Sequence, residues 1–188
     1  GSGVIVVRYQ IGAPQMGKAK ASGGQISVFN GKTIHTFYDS GTFTTPGSCS
    51  ETVEYVVVGG GGGGGTDQGG GGGAGGLRTG TTPVGSSQSF AVTIGAGGHG
   101  GFYAGTGSDG TDTSFGPPST PAKIIANGGG GGGLDQQAGR AGGSGGGGGG
   151  SSGANYDGGA STQVNTPSPW PGPAVQGYAG GPNGPHTE

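Results

Sequence analysis

Three histidines and one cysteine are the side chains of this sequence best suited to metal binding or catalysis. They are His35, His99, His186 and Cys49. No pair of them has the His-x-x-x-His or Cys-x-x-Cys spacing of a zinc site. No Gly-x-Ser-x-Gly motif lies between a strand and a helix, where a nucleophilic serine would be placed. We therefore expect no catalytic residue, no metal and no cofactor, and we expect that the chain is not an enzyme.

Two further motifs for small ligands are incomplete. Residues 105–112 read GTGSDGTD and contain the Gly-x-Gly-x-Asp part of calcium-binding nonapeptide repeats. The motif occurs once, and Thr111 stands where a large apolar residue is required, which favours a polar turn. None of the glycine blocks is followed by lysine, so a phosphate-binding P-loop is not indicated.

Aromatic side chains in glycine-rich loops are the remaining candidates for binding. An aromatic ring combines apolar area with a polar group and is able to stack on a sugar. The predicted receptor contacts are His99, Phe102, Tyr103, Tyr156, Trp170 and Tyr178. Tyr103 and Tyr156 are the stronger candidates, whereas Trp170 lies in PSPWPGP, where a packing role is the alternative. His35 lies in a predicted strand and is expected to pack within a sheet.

The composition and charge of the chain exclude several classes of protein. Glycine accounts for 57 of 188 residues, and the formal net charge is −2. The small negative charge argues against a nucleic-acid partner, and no apolar run reaches the ~20 residues of a membrane span. Glycine occurs in uninterrupted blocks and not at every third position, which excludes collagen. One cysteine permits no internal disulfide.

Short β-branched and aromatic runs predict strands, and no segment has the period of an α-helix. The predicted strands are 4–9, 25–29, 32–37, 41–46, 51–58, 89–94 and 122–126. Asn30 and Gly31 separate the second and third runs and favour a type I′ hairpin turn, in which both central residues have positive φ.

Four glycine blocks lie between or after these strands: 59–65, 69–73, 128–133 and 145–150. They are either flexible linkers or ordered helices of the polyproline II type, with three residues per turn and no internal hydrogen bonds. A bundle of such helices satisfies the backbone groups of each member, so we expect the ordered form. The structural glycines at the block ends are Gly59, Gly65, Gly69, Gly73, Gly128, Gly133, Gly145 and Gly150.

We therefore predict an all-β fold with a polyglycine-II helix bundle. A small β-sandwich or strand layer, built from 25–58, 88–95 and 122–127, holds the ends of the bundle. Few large side chains are available, so partner subunits are expected to complete a thin core. The expected organisation is residues 1–11 as the closing strand of a preceding module or a swapped strand, 12–24 as a linker, and 25–188 as the glycine-rich module. Because the sequence does not begin with methionine, we expect a piece of a longer polypeptide or a processed form.

The order of the motifs resembles the glycine-rich domain of bacteriophage tail-fibre and adhesin proteins, above all those of marine phages. The motifs are SGTFTTP at 40–46, VEYVVV at 53–58 with the glycine block that follows, SFAVTIGAGG at 89–98, and DTSFG at 112–116. In this family GSGVIVVRY, here residues 1–9, resembles a closing strand. The resemblance implies an extracellular virion appendage that is a homotrimer or another homo-oligomer and binds the host surface.

The sequence therefore predicts one of two classes of function. The first is a structural and host-attachment module whose partners are fibre neighbours and a host-surface glycan or outer-membrane protein, without nucleic acid and without membrane insertion. The second is an extracellular filament subunit with no receptor role. An ice-binding polyglycine bundle is a weaker alternative, because the Tyr, Asp and Pro insertions interrupt a regular face. A disordered linker is also weaker, because the charge is low and the apolar residues are clustered in strand-like runs.

Overall fold

The computed structural model describes residues 1–10, 21–116, 123–150, 154–163 and 177–183, and within them it contains strands and no helix. The strands are β1 (Val4–Gln10), β2 (Gln25–Phe29), β3 (Lys32–Phe37), β4 (Gly41–Thr44), β5 (Glu51–Val58), β6 (Leu77–Val84), β7 (Ser89–Thr93), β8 (Thr113–Gly116) and β9 (Ile124–Ala126). A five-stranded antiparallel sheet has the order β2-β3-β1-β5-β6, and a four-stranded one has the order β4-β7-β8-β9. The predicted all-β class is confirmed.

Strand β1 lies at the centre of the five-stranded sheet. It pairs with β3 on one side and β5 on the other, so that Val7 lies opposite His35 and Tyr55. The β-branched residues of β1 and β5 favour the extended conformation and pack well across the ladder. Within the described chain β1 therefore belongs to the same sheet as the later strands. The division at residues 11 and 24 and the swapped-strand alternative stay predictions.

The hairpin between β2 and β3 forms as predicted. Asn30 has φ 47° and Gly31 has φ 71°, and Phe29 lies opposite Lys32. Two positive φ values in a two-residue loop are the requirement of the type I′ turn. The turn sets the register that carries His35 into the core.

Two strands are missing from the sequence prediction. Strand β6 contains Gly80 and Pro83, residues that are depleted in strands. Pro83 is tolerated because β6 is the last strand of its sheet, where one side of the backbone needs no ladder partner. Strand β8 has four residues, too few to show a period of two, and is held by β7 and β9 on either side.

The hydrophobic core contains side chains of both sheets. Ile5, Val7, Val53 and Val57 come from the five-stranded sheet, and Phe43, Phe90 and Phe115 come from the four-stranded one. The ring of His35 meets that of Phe43 edge-on at a centroid distance of 5.1 Å, and Phe43 lies 6.0 Å from Phe115. Aromatic rings thus supply much of the volume of a core that has few large side chains.

The glycine-rich parts of the chain run as extended segments that hydrogen-bond to one another. We call them the glycine segments: 59–66, 69–76, 95–101, 105–112, 127–134, 138–143, 144–150, 154–162 and 177–183. Along segment 59–66 every third N–H donates to the same neighbour. One set of bonds runs from Gly59, Gly62 and Gly65 to the carbonyls of Gly76, Gly73 and Gly70, and a second from Gly60, Gly63 and Thr66 to those of Thr111, Ser108 and Gly105.

The same interval of three recurs in the other glycine segments. For example, segment 144–150 contributes the N–H groups of Ser144, Gly147 and Gly150 to the carbonyls of Ala74, Gly71 and Gln68. A β-ladder alternates between its two sides with a period of two, so these contacts are not sheet pairing. Side chains would block them: a Cβ on Gly62 would lie 2.2 Å from the carbonyl oxygen of Gly130, and one on Gly131 would lie 2.0 Å from that of Gly107.

Candidate functional site

The turn 102–104 joins glycine segments 95–101 and 105–112 and carries two of the predicted contact residues. Phe102 and Tyr103 are each 81% exposed. Their rings meet edge-to-face with centroids 4.5 Å apart. Tyr103 has φ 51°, a left-handed conformation that is uncommon for an aromatic residue. The turn therefore holds both rings in solvent.

Thr66, which begins the neighbouring turn 66–68, is hydrogen-bonded to the turn 102–104. Its hydroxyl donates to the carbonyl oxygen of Tyr103, and its N–H donates to the carbonyl of Gly105 at 3.2 Å. The N–H of Gly105 closes the turn on the carbonyl of Tyr103 at 3.0 Å. These bonds fix the backbone of Tyr103, so the aromatic pair has a defined position on the molecule.

Two further turns, 66–68 and 134–137, lie at the same end of the glycine segments. The N–H of Gly150 donates to the carbonyl of Gln68 at 2.7 Å, and the N–H of Gln136 donates to the carbonyl of Gly150 at 3.2 Å. Asp67, Gln68 and Gln136 have φ of 50°, 62° and 60°. We call the turns 66–68, 102–104 and 134–137 the turn end. It combines exposed aromatic rings with carboxylate and amide groups.

The other predicted contact residues are spread along the segments. The carbonyl of His99 accepts from Ser108, and exposed His99 lies three residues before Phe102. Tyr156 is half-buried, and its carbonyl accepts from the N–H of Asn183 at 3.2 Å. Tyr178 is 65% exposed, but its carbonyl accepts from Gly145, five residues before Gly150, so it lies away from the turn end. Trp170 lies outside the described residues.

The structural glycines named from the sequence lie within the glycine segments, where neighbouring backbones come close. A Cβ would lie within 2.4 Å of a backbone atom of another residue at Gly59, Gly65, Gly69, Gly73, Gly128, Gly133 and Gly145, and 3.2 Å from one at Gly150. Several of these glycines also donate a backbone hydrogen bond through their own N–H to another segment or to a turn: Gly59, Gly65, Gly73, Gly133, Gly145 and Gly150.

Sequence reasoning misses the polar residues of the turn end. Asp67, Gln68 and Gln136 lie in the turns 66–68 and 134–137 of the turn end, yet none is among the predicted contacts. A signal was present, because the blocks 59–65 and 128–133 are each followed by a short sequence with Asp and Gln, TDQ and LDQQ. Blocks of similar length that lie side by side place such sequences at one end.

The charged groups in the calcium-like sequence bind protein donors. Asp109 accepts from Arg140 through both oxygens, at 2.8 and 2.7 Å, and from the N–H of Gly131 at 2.9 Å. The hydrogen bond with Arg140 is the main reason that the pKa of Asp109 lies below its ordinary value. Asp112 accepts from the N–H of Gly128 at 2.9 Å. Both carboxylates, three residues apart, thus accept hydrogen bonds from backbone N–H groups of segment 127–134. The described residues contain no cluster of metal-ligating side chains.

His35 is fully buried, and both of its ring nitrogens are hydrogen-bonded within the protein. Its Nδ1 lies 2.7 Å from the carbonyl oxygen of Gly23 and must donate, since a carbonyl accepts. Nε2 then accepts from the hydroxyl of Tyr9 at 3.2 Å, and that hydroxyl accepts from the N–H of Ala21 at 3.0 Å. Burial lowers the pKa of His35. The prediction that His35 packs in the sheet is confirmed.

Comparison with known proteins places the glycine-rich region in a family. Comparison with curated proteins and with solved structures gave no match. Separately, no helix among the described residues is long and apolar enough to cross a bilayer. A profile described as a glycine-rich domain matches residues 36–188, which contain β4 to β9 and all the glycine segments. The glycine-rich part of the resemblance is confirmed, and its link to phage tail fibres stays a prediction. Because the match spans most of its length, the chain belongs to the glycine-rich domain family.

Proposed function

We propose that the chain is a structural and host-attachment module of a phage tail fibre or adhesin, exposed on the virion. In this proposal the turn end contacts a glycan or an outer-membrane protein of the host, and the module is not an enzyme. The observation that carries the proposal is the pair Phe102 and Tyr103, each 81% exposed on a turn anchored by Thr66. Large apolar groups held together in solvent are typical of interaction sites.

The presenting scaffold is proposed to be a bundle of polyglycine-II helices. The interval of three between N–H groups that share a neighbour supports it, since this helix has three residues per turn. The close approach of the backbones supports it as well, because a Cβ on most of these glycines would overlap a neighbour. The two sheets that share one core are proposed to form a small β-sandwich at the opposite end.

Such a scaffold suits attachment because its turns have fixed positions. A rigid site loses less conformational entropy on binding than a mobile loop does. We further propose a homo-oligomer, with a trimer as the favoured form, in which several copies of the turn end act together. Linked weak sites gain affinity without any new contact.

The experiment uses the labelled full chain and a panel of marine bacterial cells, with an immobilised glycan array beside it. The double variant Phe102→Ala/Tyr103→Ala should lower binding about tenfold or more, as expected when aromatic anchors are truncated. Tyr38→Ala is the matched control, because Tyr38 is 57% exposed but lies between β3 and β4, away from the turn end.

Equal loss of binding in the double variant and in the Tyr38→Ala control contradicts a specific role for the turn end. Absence of binding to every cell and glycan, together with fibres of the chain in electron micrographs, supports the filament alternative instead.

A further inference from the structure

Strands β1 and β5 of the five-stranded sheet have the sequence of strands that are buried on both faces. Residues 4–7 read VIVV and residues 56–58 read VVV. Ile5, Val7 and Val57 point into the core and are fully buried. A sheet face in water favours polar residues at the alternate positions, whereas a continuous apolar run is typical of a strand covered on both sides. Val4, Val6 and Val56 are the alternate residues of these runs, and they are apolar where a sheet face in water would favour polar residues.

The pairing register brings these alternate residues together on one face. We call it the outer sheet face, the side of the five-stranded sheet opposite the four-stranded one. Val4 lies opposite Val58, which lies opposite Leu77, and Val6 lies opposite Val56. Ile34 and Phe29 extend the same face on β3 and β2. Its apolar members are Val4, Val6, Phe29, Ile34, Val56, Val58 and Leu77.

The exposure of this face is unusual for apolar residues. Phe29 is 75% exposed and Leu77 is 39% exposed, and the five others are half-buried. Every strand of the described chain belongs to one of the two sheets, so no described strand packs on the outer sheet face. A contiguous apolar patch of this kind marks an interaction surface.

The charged groups of the outer sheet face are already paired with one another. Glu54 accepts from Lys32 Nζ at 2.9 Å and also from Arg8 Nε. This pairing lowers the pKa of Glu54. Because the single carboxylate is held between two cations, covering the face does not isolate an unpaired negative charge, which is the costly case.

The size of the face fits a protein surface. Five strands ~4.8 Å apart and ~7 residues long cover about 550 Å², and two such faces in contact bury about 1,100 Å². This passes the ~1,000 Å² expected of a specific interface. We propose that the outer sheet face packs against the same face of a second copy of this chain, and that it is the subunit contact of the homo-oligomer; such a contact has twofold symmetry and gives a dimer in place of the favoured trimer. The inference rests on the homo-oligomer of the proposed function and assigns its contact surface.

The test compares the mass of the full chain in solution with that of two valine-to-lysine variants. Val56→Lys places a charge at the centre of the outer sheet face, where a monomer can keep the ammonium in water but an interface cannot. The dissociation constant should rise at least ~100-fold, because an unpaired buried charge is strongly unfavourable. Val28→Lys is the control, since Val28 is 60% exposed and lies on the other face of the same sheet.

A second measurement does not depend on the folding of Val56→Lys. A maleimide should react with Thr36→Cys, on the outer sheet face, more slowly at concentrations at which the chain is oligomeric. Thr42→Cys, an exposed position of β4, should react at the same rate at all concentrations.

The outcomes separate this inference from the proposed function. A chain that is monomeric at all concentrations overturns both the proposed homo-oligomer and this contact. An oligomer that keeps its mass in Val56→Lys overturns the contact alone. Labelling of Thr36→Cys that is slow and independent of concentration also overturns it, because a segment of the same chain would then cover the face.

Discussion

Replacing Gly131 by alanine tests whether close backbone contact holds the glycine segments together. Gly131 lies in segment 127–134 beside segment 105–112. Two backbone hydrogen bonds join these segments here, from Gly107 to Gly132 and from Gly110 to Gly129, each 2.9 Å long. The added Cβ would lie 2.0 Å from the carbonyl oxygen of Gly107, so the two backbones must separate.

The size of the effect follows from that distance. Ordinary contact of a Cβ begins at 3.4 Å, so the segments must move apart by the difference between 3.4 and 2.0 Å, about 1.4 Å. The two hydrogen bonds would then stretch to about 4.3 Å, beyond any useful hydrogen bond. Each lost bond leaves buried polar groups without a partner, at ~1–3 kcal/mol. We expect Gly131→Ala to lower the free energy of unfolding by about 2–6 kcal/mol, a large part of the ~5–15 kcal/mol of a typical domain.

Gly71→Ala is the matched control for this variant. A Cβ at Gly71 would meet nothing within 4 Å, and the backbone has no left-handed φ there. Alanine should therefore raise the stability by about 0.4–1 kcal/mol, because it restricts the unfolded chain. Urea unfolding followed by circular dichroism measures both variants. If Gly131→Ala unfolds within ~0.5 kcal/mol of the wild type, the segments are not in close contact and the reasoning is refuted.

Two further predictions concern pH and use the same unfolding assay. Asp109→Asn should be less stable than the wild type by about 0.5–1 kcal/mol at pH 7, since the pair with Arg140 is partly exposed. The folded pKa of Asp109 lies below 3.8, so this difference should shrink as the pH falls below 3.8; a difference that does not change with pH would contradict the ion pair. The folded pKa of His35 lies below 6.5, so only the unfolded chain gains a proton just below pH 6.5, and stability should fall as the pH drops from there. His35→Gln should lose this dependence and about 1–3 kcal/mol, because Gly23 and Tyr9 lose their partner; an unchanged pH slope would show that other groups cause it.

The sheets were predictable where the side chains form a pattern. The apolar run at 4–7 and the Asn30-Gly31 turn indicate β1 and the hairpin because β-branching and positive φ act locally. Strand β6 was not predictable, since Gly80 and Pro83 lie in a strand that its neighbour β5 stabilises by pairing. In such a case the tertiary contact outweighs the local preference.

The arrangement of the glycine segments is beyond sequence reasoning for a different reason. A run of glycines has no side-chain pattern, so nothing in 59–65 or 128–133 indicates which segment will be the neighbour. Which segment becomes the neighbour depends on where strands β5 and β9 end and on the lengths of the turns. The sequences TDQ and LDQQ that follow these blocks indicate that Asp67 and Gln136 lie in turns, but not which turns lie next to one another.

Amide hydrogen exchange of the intact chain tests most directly whether the glycine segments are ordered. The structure gives the N–H groups of Gly62, Gly63 and Gly132 backbone acceptors at 2.8–2.9 Å. We expect these amides to exchange slowly, while the exposed Gly71, whose N–H has no acceptor among the described residues, exchanges fast. Immediate exchange of all amides in 59–65 and 128–133 would show that the blocks are flexible linkers, and the rigid presentation of the turn end would be wrong.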